Sequence, residues 1–220
     1  MRRSSLILGV AVLLWGTLQW NATAEWKSAL ETDGDGWIDL LPAHDLSGWK
    51  RVPIPPTNSL GRAQWHVGST GVLVCDGDGG HDMLRFAEEL TNGIFHVEFC
   101  YTPVTGTNRN YNSGVFIRNS ADGTIWHQAQ LTMKGGYLFG NSPVNGVNQR
   151  FKTSATESRM KPAGEWNTIE VTARGKVLSV WLNGMETCAY DQCSVPKGFI
   201  ALEGEGYRIE FRNLQYKRLE

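Results

Sequence analysis

The chain has almost no charge to spare: 21 Lys and Arg against 22 Asp and Glu leave a net charge of −1 over 220 residues. That balance removes the bulk electrostatic argument for a nucleic-acid partner. The apolar run from Leu6 to Leu18 holds only about 13 residues, too few to span a bilayer comfortably. Cys75, Cys100, Cys188 and Cys193 show no CxxC spacing, which argues against a zinc site. A G-x-S-x-G elbow, an HExxH helix and a phosphate-binding GxxxxGK[ST] loop are all missing. So is any motif supplying the carboxylate pair, ~5–5.5 Å apart, of a retaining glycosidase. Low-complexity tracts and long segments of 3.6-residue period are absent as well.

What the chain has instead is 25 glycines, nine tryptophans and 10% aromatic residues. That composition favours many short strands joined by tight turns. At its start, Arg2 and Arg3 precede the apolar run, and Ala22 and Ala24 follow it. A basic region, a short apolar region and an A-x-A site predict a secretory signal peptide over 1–24, leaving a mature chain of 25–220. Export makes disulfides chemically accessible, and four cysteines allow three pairings, with Cys188 and Cys193 close enough in sequence to clip one hairpin. Free buried thiols are the other reading.

Period-two alternation recurs from Ile94 onward. Phe95, Val97, Phe99 and Tyr101 share one face of a strand, with His96, Glu98 and Cys100 on the other. Strands are predicted at 114–118, 126–132, 168–174, 177–182, 199–203 and 207–214, with a Gly175-Lys176 hairpin turn. At most one turn of helix is expected, near 86–90. The fold class is therefore all-β: a single antiparallel sandwich. Two acidic, glycine-rich loops, at 31–39 and 76–82, look like parts of cation sites. The first has Pro42 where a calcium loop needs its bidentate Glu, and turn chemistry is the simpler explanation of both.

Several segments, in order, resemble the 3-keto-disaccharide hydrolase domain family. They are Gly36-Trp37-Ile38-Asp39-Leu40-Leu41, Asp45-Leu46-Ser47-Gly48-Trp49, Trp65-His66-Val67 and Gly71-Val72-Leu73-Val74. Asn112-Ser113-Gly114-Val115-Phe116-Ile117-Arg118, Lys161-Pro162-Ala163-Gly164-Glu165-Trp166-Asn167, Trp181-Leu182-Asn183-Gly184 and Ile209-Glu210-Phe211-Arg212-Asn213-Leu214 complete the set. The resemblance implies a concanavalin A-like jelly roll. It also implies a bacterial protein, secreted or periplasmic, that cleaves glycosides carrying a ketone at C3. The chemistry implied is removal of the acidified C2 proton, departure of the C1 substituent and addition of water.

Strand alternation sorts the candidate site residues. Gln128 and Gln130 lie opposite the apolar side of their strand with Trp126 beside them as a stacking platform, Glu203 alternates with Ile200 and Leu202, and Arg118 alternates with Val115 and Ile117. The same sorting turns His127 toward the core. The family commonly has Glu-x-Gln where this chain has Gln128-Ala129-Gln130, and Gln-x-His where it has Glu203-Gly204-Glu205. An amide cannot act as a base, so acid–base duty moves to Glu203, Glu205 or Glu98. The expected catalytic set is Glu203 or Glu205 as base with Arg118 as electrostatic partner. Glu98, Arg109, Asn112, Trp126, Gln128 and Gln130 are expected to hold the carbohydrate. Arg109 or a divalent cation on the carboxylates are alternatives for the enolate oxygen, and the metal question stays open. A non-catalytic carbohydrate-binding module is the competing reading.

Overall fold

The computed structural model describes residues 26–106 and 109–220, so the leader expected over 1–24 lies outside the described residues. One short helix, α1 (Ala29–Thr32), comes first. Strands β1 (Trp37–Asp39), β2 (Trp49–Pro53), β3 (Trp65–Val67), β4 (Leu73–Cys75) and β5 (Asp82–Phe86) follow. Next are β6 (Gly93–Tyr101), β7 (Gly114–Asn119), β8 (Trp126–Gln130), β9 (Leu138–Val144) and β10 (Val147–Lys152). The last five are β11 (Asn167–Arg174), β12 (Val177–Leu182), β13 (Met185–Tyr190), β14 (Phe199–Gly204) and β15 (Ile209–Arg218).

These strands form two antiparallel sheets. One has the order β13-β12-β11-β6-β15-β4-β3, with β1 also paired to β15; the other has the order β10-β9-β8-β7-β14-β5-β2. The alternation explains why they stack. Phe95, Val97 and Phe99 of β6, Ile169 and Val171 of β11 and Ile209 and Phe211 of β15 turn inward on the first sheet. Val115 and Ile117 of β7, Ala129 of β8 and Ile200 and Leu202 of β14 meet them from the second, in one buried cluster. Each large side chain buried there contributes about 1.5–3 kcal/mol of hydrophobic free energy. The product is the expected antiparallel jelly-roll sandwich.

One irregularity re-aims a side chain that simple alternation places outside. Where β14 pairs with β7, Phe199 faces Asn119 and Ala201 faces Phe116, so Ile117 and Arg118 together oppose Ile200. This bulge gives Arg118 a φ of 53° and reverses its side. Its guanidinium, in a residue only 1% exposed, donates to the Gly175 carbonyl at 2.6 Å and to Asn92 Oδ1 at 2.8 Å. Both partners belong to the first sheet's turns. Arg118 is thus a strut between the sheets and not the electrostatic partner expected in the site.

Other expectations shift too. The segment after β5 bends without forming a helix, because Ala87 N–H pairs with the Gly48 carbonyl and Leu90 bridges to Gly198. All four cysteines are free thiols; Cys75, Cys188 and Cys193 are buried, and burial pushes the Cys75 thiol up to about 12. In the two acidic loops, Asp33 pairs with Lys217, Asp76 with Arg208 and Asp78 with Arg62, which is the chemistry of tied turns.

Candidate active site

The outer face of the second sheet carries a cleft of about 500 Å³. On β8, His127 and Ala129 point inward, so Trp126, Gln128 and Gln130 point into the cleft. His127 is enclosed between the Ile117 carbonyl and Ser142 Oγ, and burial lowers its pKa to about 4. On β14, Ile200 and Leu202 occupy the core, which leaves Glu203 on the cleft side at 4% exposure. Glu203 is paired with Met83 and Gly204 with Asp82, so the residue before β5, His81, sits across from Glu205.

These groups form a nearly closed ring of hydrogen bonds. His81 Nε2 lies 2.8 Å from Glu203 Oε1, and Gln128 Nε2 donates to Glu203 Oε2 at 2.7 Å. The same Gln128 nitrogen donates to Gln130 Oε1 at 3.0 Å, and Gln130 Nε2 donates to Asn112 Oδ1 at 2.5 Å. Asn112 Nδ2 then donates to Glu205 Oε2, which lies 3.7 Å from His81 Nε2. Every amide is oriented by this chain, which starts and ends on a carboxylate. Oε2 of each glutamate accepts from an amide, so the one oxygen of Glu203 left to exchange a proton with an acid is Oε1, facing His81.

The electrostatics match that geometry. Burial raises the Glu203 pKa above its ordinary value, partly offset by the hydrogen bond from His81. The Glu203 carboxylate in turn raises the pKa of His81, against the opposing effect of burial. One proton is therefore held between two groups whose pKa values are both raised. His81 Nε2, Glu203 and Glu205 also offer donor atoms within 4.8 Å of one another, a nitrogen–oxygen set able to hold a divalent cation.

Of the residues expected in the site, Glu203, Glu205, Asn112, Trp126, Gln128 and Gln130 line this one cleft. Arg109 lines an adjoining groove that shares Asn112 and Gln130 with it. Glu98 does not join them: it lies on β6 of the other sheet, bound by Arg212 Nε at 2.7 Å and Asn213 Nδ2 at 3.0 Å. Arg118 is displaced by the bulge. His81 lies in the acidic 76–82 turn and carries no local signal of a site role, because only the β5–β14 pairing brings it to Glu203. Arg150 and Asn119, from β10 and the end of β7, are further lining residues that alternation did not reveal.

Gly114 clears the space the ring needs. A Cβ there would run into the amide and Cγ of Gln128. Gly114→Ala is expected to push Gln128 off Glu203, with a stability loss of about 1–3 kcal/mol. Thermal melting checks it; a variant as stable as the wild type would show that Gln128 moves aside without cost.

The 3-keto-alpha-glucoside-1,2-lyase-like domain profile matches residues 36–217. No curated protein matches the sequence. Among solved structures, a putative glycosyl hydrolase from Parabacteroides distasonis ATCC 8503 aligns with TM-score 0.60 and 16% identity, covering 90% of this chain and 100% of that one. The carbohydrate-binding module CBM66 from Bacillus subtilis aligns with TM-score 0.56 and 13% identity over 77% of this chain and 95% of its own. A Bacillus licheniformis beta-glucanase aligns with TM-score 0.54 and 14% identity over 79% and 94%. At these identities the likenesses establish the fold.

Proposed function

Because the chain belongs to the 3-keto-alpha-glucoside-1,2-lyase-like family, a carbohydrate-active one, we propose that it cleaves the glycosidic bond of 3-keto glycosides by C2 deprotonation. The observation that carries the proposal is the buried Glu203–His81 pair at the floor of the cleft. A base with a pKa raised toward neutrality is the group this chemistry needs, and positioned proton transfer contributes typically ~10²–10⁴-fold.

Glu203 takes the C2 proton, and the C2–H electron pair becomes the enolate of the C3 ketone. His81, kept protonated by its carboxylate neighbour, places positive charge beside that enolate, where preorganised charge is most effective. As the ketone re-forms, the C1–O bond breaks and its electron pair leaves with the aglycone oxygen, which takes a proton from the protonated His81. Water then adds across C1 and C2, so the net change is hydrolysis. Gln128, Gln130 and Asn112 hold the carboxylates in register, and Trp126 offers a ring face to the substrate. The leader expected over 1–24 from the sequence supports a secreted or periplasmic site of action.

An arrangement of this kind predicts a bell-shaped pH dependence. The acid limb reflects ionisation of Glu203 and lies above the ordinary value of 4.5, because burial raises that pKa. The alkaline limb reflects deprotonation of His81 and lies above 6.5, because Glu203 raises it. The same shift makes the stabilisation from the ion pair complete below 6.5 and lost as pH rises through the folded-state value. A kcat/KM profile of the wild type and of His81→Gln checks this, and an alkaline limb that survives in the variant rules out His81.

A non-catalytic module is favoured by one observation: Gln128 stands where the family commonly has a carboxylate. Incubation of residues 25–220 with 3-keto disaccharides, with and without EDTA, separates the readings. Release of free 3-keto sugar supports cleavage, and EDTA sensitivity adds a cation at His81, Glu203 and Glu205. Saturable binding of ordinary and 3-keto glycans alike, without release, supports the module.

A further inference from the structure

We propose that the Trp126 end of the cleft receives an aromatic aglycone carrying an anionic group, so that the substrate is the 3-keto glycoside of an aromatic acid. The inference rests on the cleavage reading above and names its substrate class. Trp126, Gln128 and Gln130 are spaced two residues apart along β8, so each step along the cleft is about 6.5–7 Å. Glu203 is bonded to the middle residue. The ring being cleaved therefore lies over Glu203, and the group one step away lies over Trp126.

The two ends of the cleft differ in chemistry. At the other end Gln130 and Glu205 are joined through Asn112 by hydrogen bonds, and His81 lies 3.7 Å from Glu205. Around Trp126 the walls are Ile54, Pro55, Pro56 and Phe139, the last set edge-on to Trp126 with ring centroids 5.2 Å apart. A second sugar ring here would bring hydroxyls against apolar walls and leave them unpaired. A flat arene stacks on Trp126 without that cost.

One charged group at this end lacks the partner that its chemistry calls for. The Arg150 guanidinium carbon lies 4.9 Å from the centre of the Trp126 ring, and among the described residues no carboxylate pairs with it. Asn119 also lines the cleft, but its Oδ1 accepts from the His127 N–H and its Nδ2 is closed off from the open space, so it takes no part in holding a ligand. A guanidinium lying over the Trp126 ring with no carboxylate partner, at the apolar end of the cleft, fits a carboxylate carried on an aromatic ring.

The test compares kcat/KM for three 3-keto glucosides, with phenol, 4-hydroxybenzoate or glucose as the leaving group. The 4-carboxyphenyl substrate is expected to exceed the phenyl one roughly tenfold at low salt, with the disaccharide lowest. Arg150→Met should bring the two aryl substrates to within about twofold and abolish the salt dependence. That change of ratio cancels the difference in leaving-group acidity. A disaccharide that matches or exceeds both aryl substrates, or a ratio unmoved in Arg150→Met, overturns the inference while leaving cleavage intact. Binding of unoxidised 4-carboxyphenyl glucoside, followed by tryptophan fluorescence, keeps the two readings separable. Arg150-dependent binding with no cleavage of any substrate sinks the cleavage reading and supports the aglycone site; absence of both overturns both.

Discussion

Glu203→Gln is expected to lower the turnover of 3-keto glycosides by ~10²–10⁴-fold while leaving the melting temperature near that of the wild type. The amide keeps the volume and can still accept from Gln128, but it can neither take the C2 proton nor raise the pKa of His81. The same variant permits a sharper test. The family resemblance implies a carboxylate at residue 128 and an amide at residue 203, and here the two are exchanged across one 2.7 Å hydrogen bond. The pair keeps one negative charge in one place whichever strand supplies it. Gln128→Glu combined with Glu203→Gln should therefore recover turnover to within about tenfold of the wild type. Gln128→Glu alone should be impaired, because two carboxylates in contact push each other's pKa up and hold one of them protonated. Full activity in Glu203→Gln would remove Glu203 as the base. A double variant no better than Glu203→Gln would show that β14, and not the charge alone, matters.

How far the sequence carries the site can be read from which residues needed long-range pairing. Gln128, Gln130, Trp126 and Glu203 followed from alternation alone, because the apolar members of their strands are unambiguous. Arg118 obeyed the same rule on paper and broke it in the fold, since a bulge of one residue inverts every later side chain. His81 carried no local signal. It lies in a glycine-rich turn whose acids explain themselves, and only the β5–β14 register sets it against Glu203 and Glu205. Glu98 alternates convincingly, but alternation says which face of a strand is polar and not which sheet that strand joins. Of the first five strands, β1, β3, β4 and the start of β2 were legible only as pieces of a resemblance, and β5 gave no signal. Each has three to five residues, too short for period-two counting to stand out.

Asp82→Ala is expected to cost about 3–5 kcal/mol of stability, which for a domain of this size lowers the melting temperature by roughly 10 °C. Asp82 is 1% exposed, and four donors converge on it. Arg51 Nε and Nη2 reach one oxygen at 2.8 and 2.5 Å, while Gln64 Nε2 and Trp65 Nε1 reach the other at 2.7 and 2.8 Å. Arg51 comes from the second sheet and Trp65 from the first, so this carboxylate ties the layers together beneath the cleft. Truncation leaves the Trp65 N–H without a partner and the Arg51 guanidinium without its counter-charge, although Arg51 keeps the Arg62 carbonyl and Gln64 the Gly80 carbonyl, and that desolvation dominates the loss. Asp82→Asn should cost less, since its Oδ1 still accepts from Gln64 and Trp65, while its amide nitrogen, a donor, replaces the acceptor that faced Arg51. Arg51→Met combined with Asp82→Leu should be milder than Asp82→Ala, because replacing both charges leaves no uncompensated ion. Calorimetry on the three variants ranks them, and Asp82→Ala melting within about 2 °C of the wild type would mean that the pair is screened by solvent. Asp82 also neighbours His81, and Gln64 fixes the preceding loop through Gly79 N–H and the Gly80 carbonyl. Asp82→Asn should therefore lose activity beyond its loss of folded fraction, through a displaced His81, and the alkaline limb of its pH profile should move toward the ordinary histidine value.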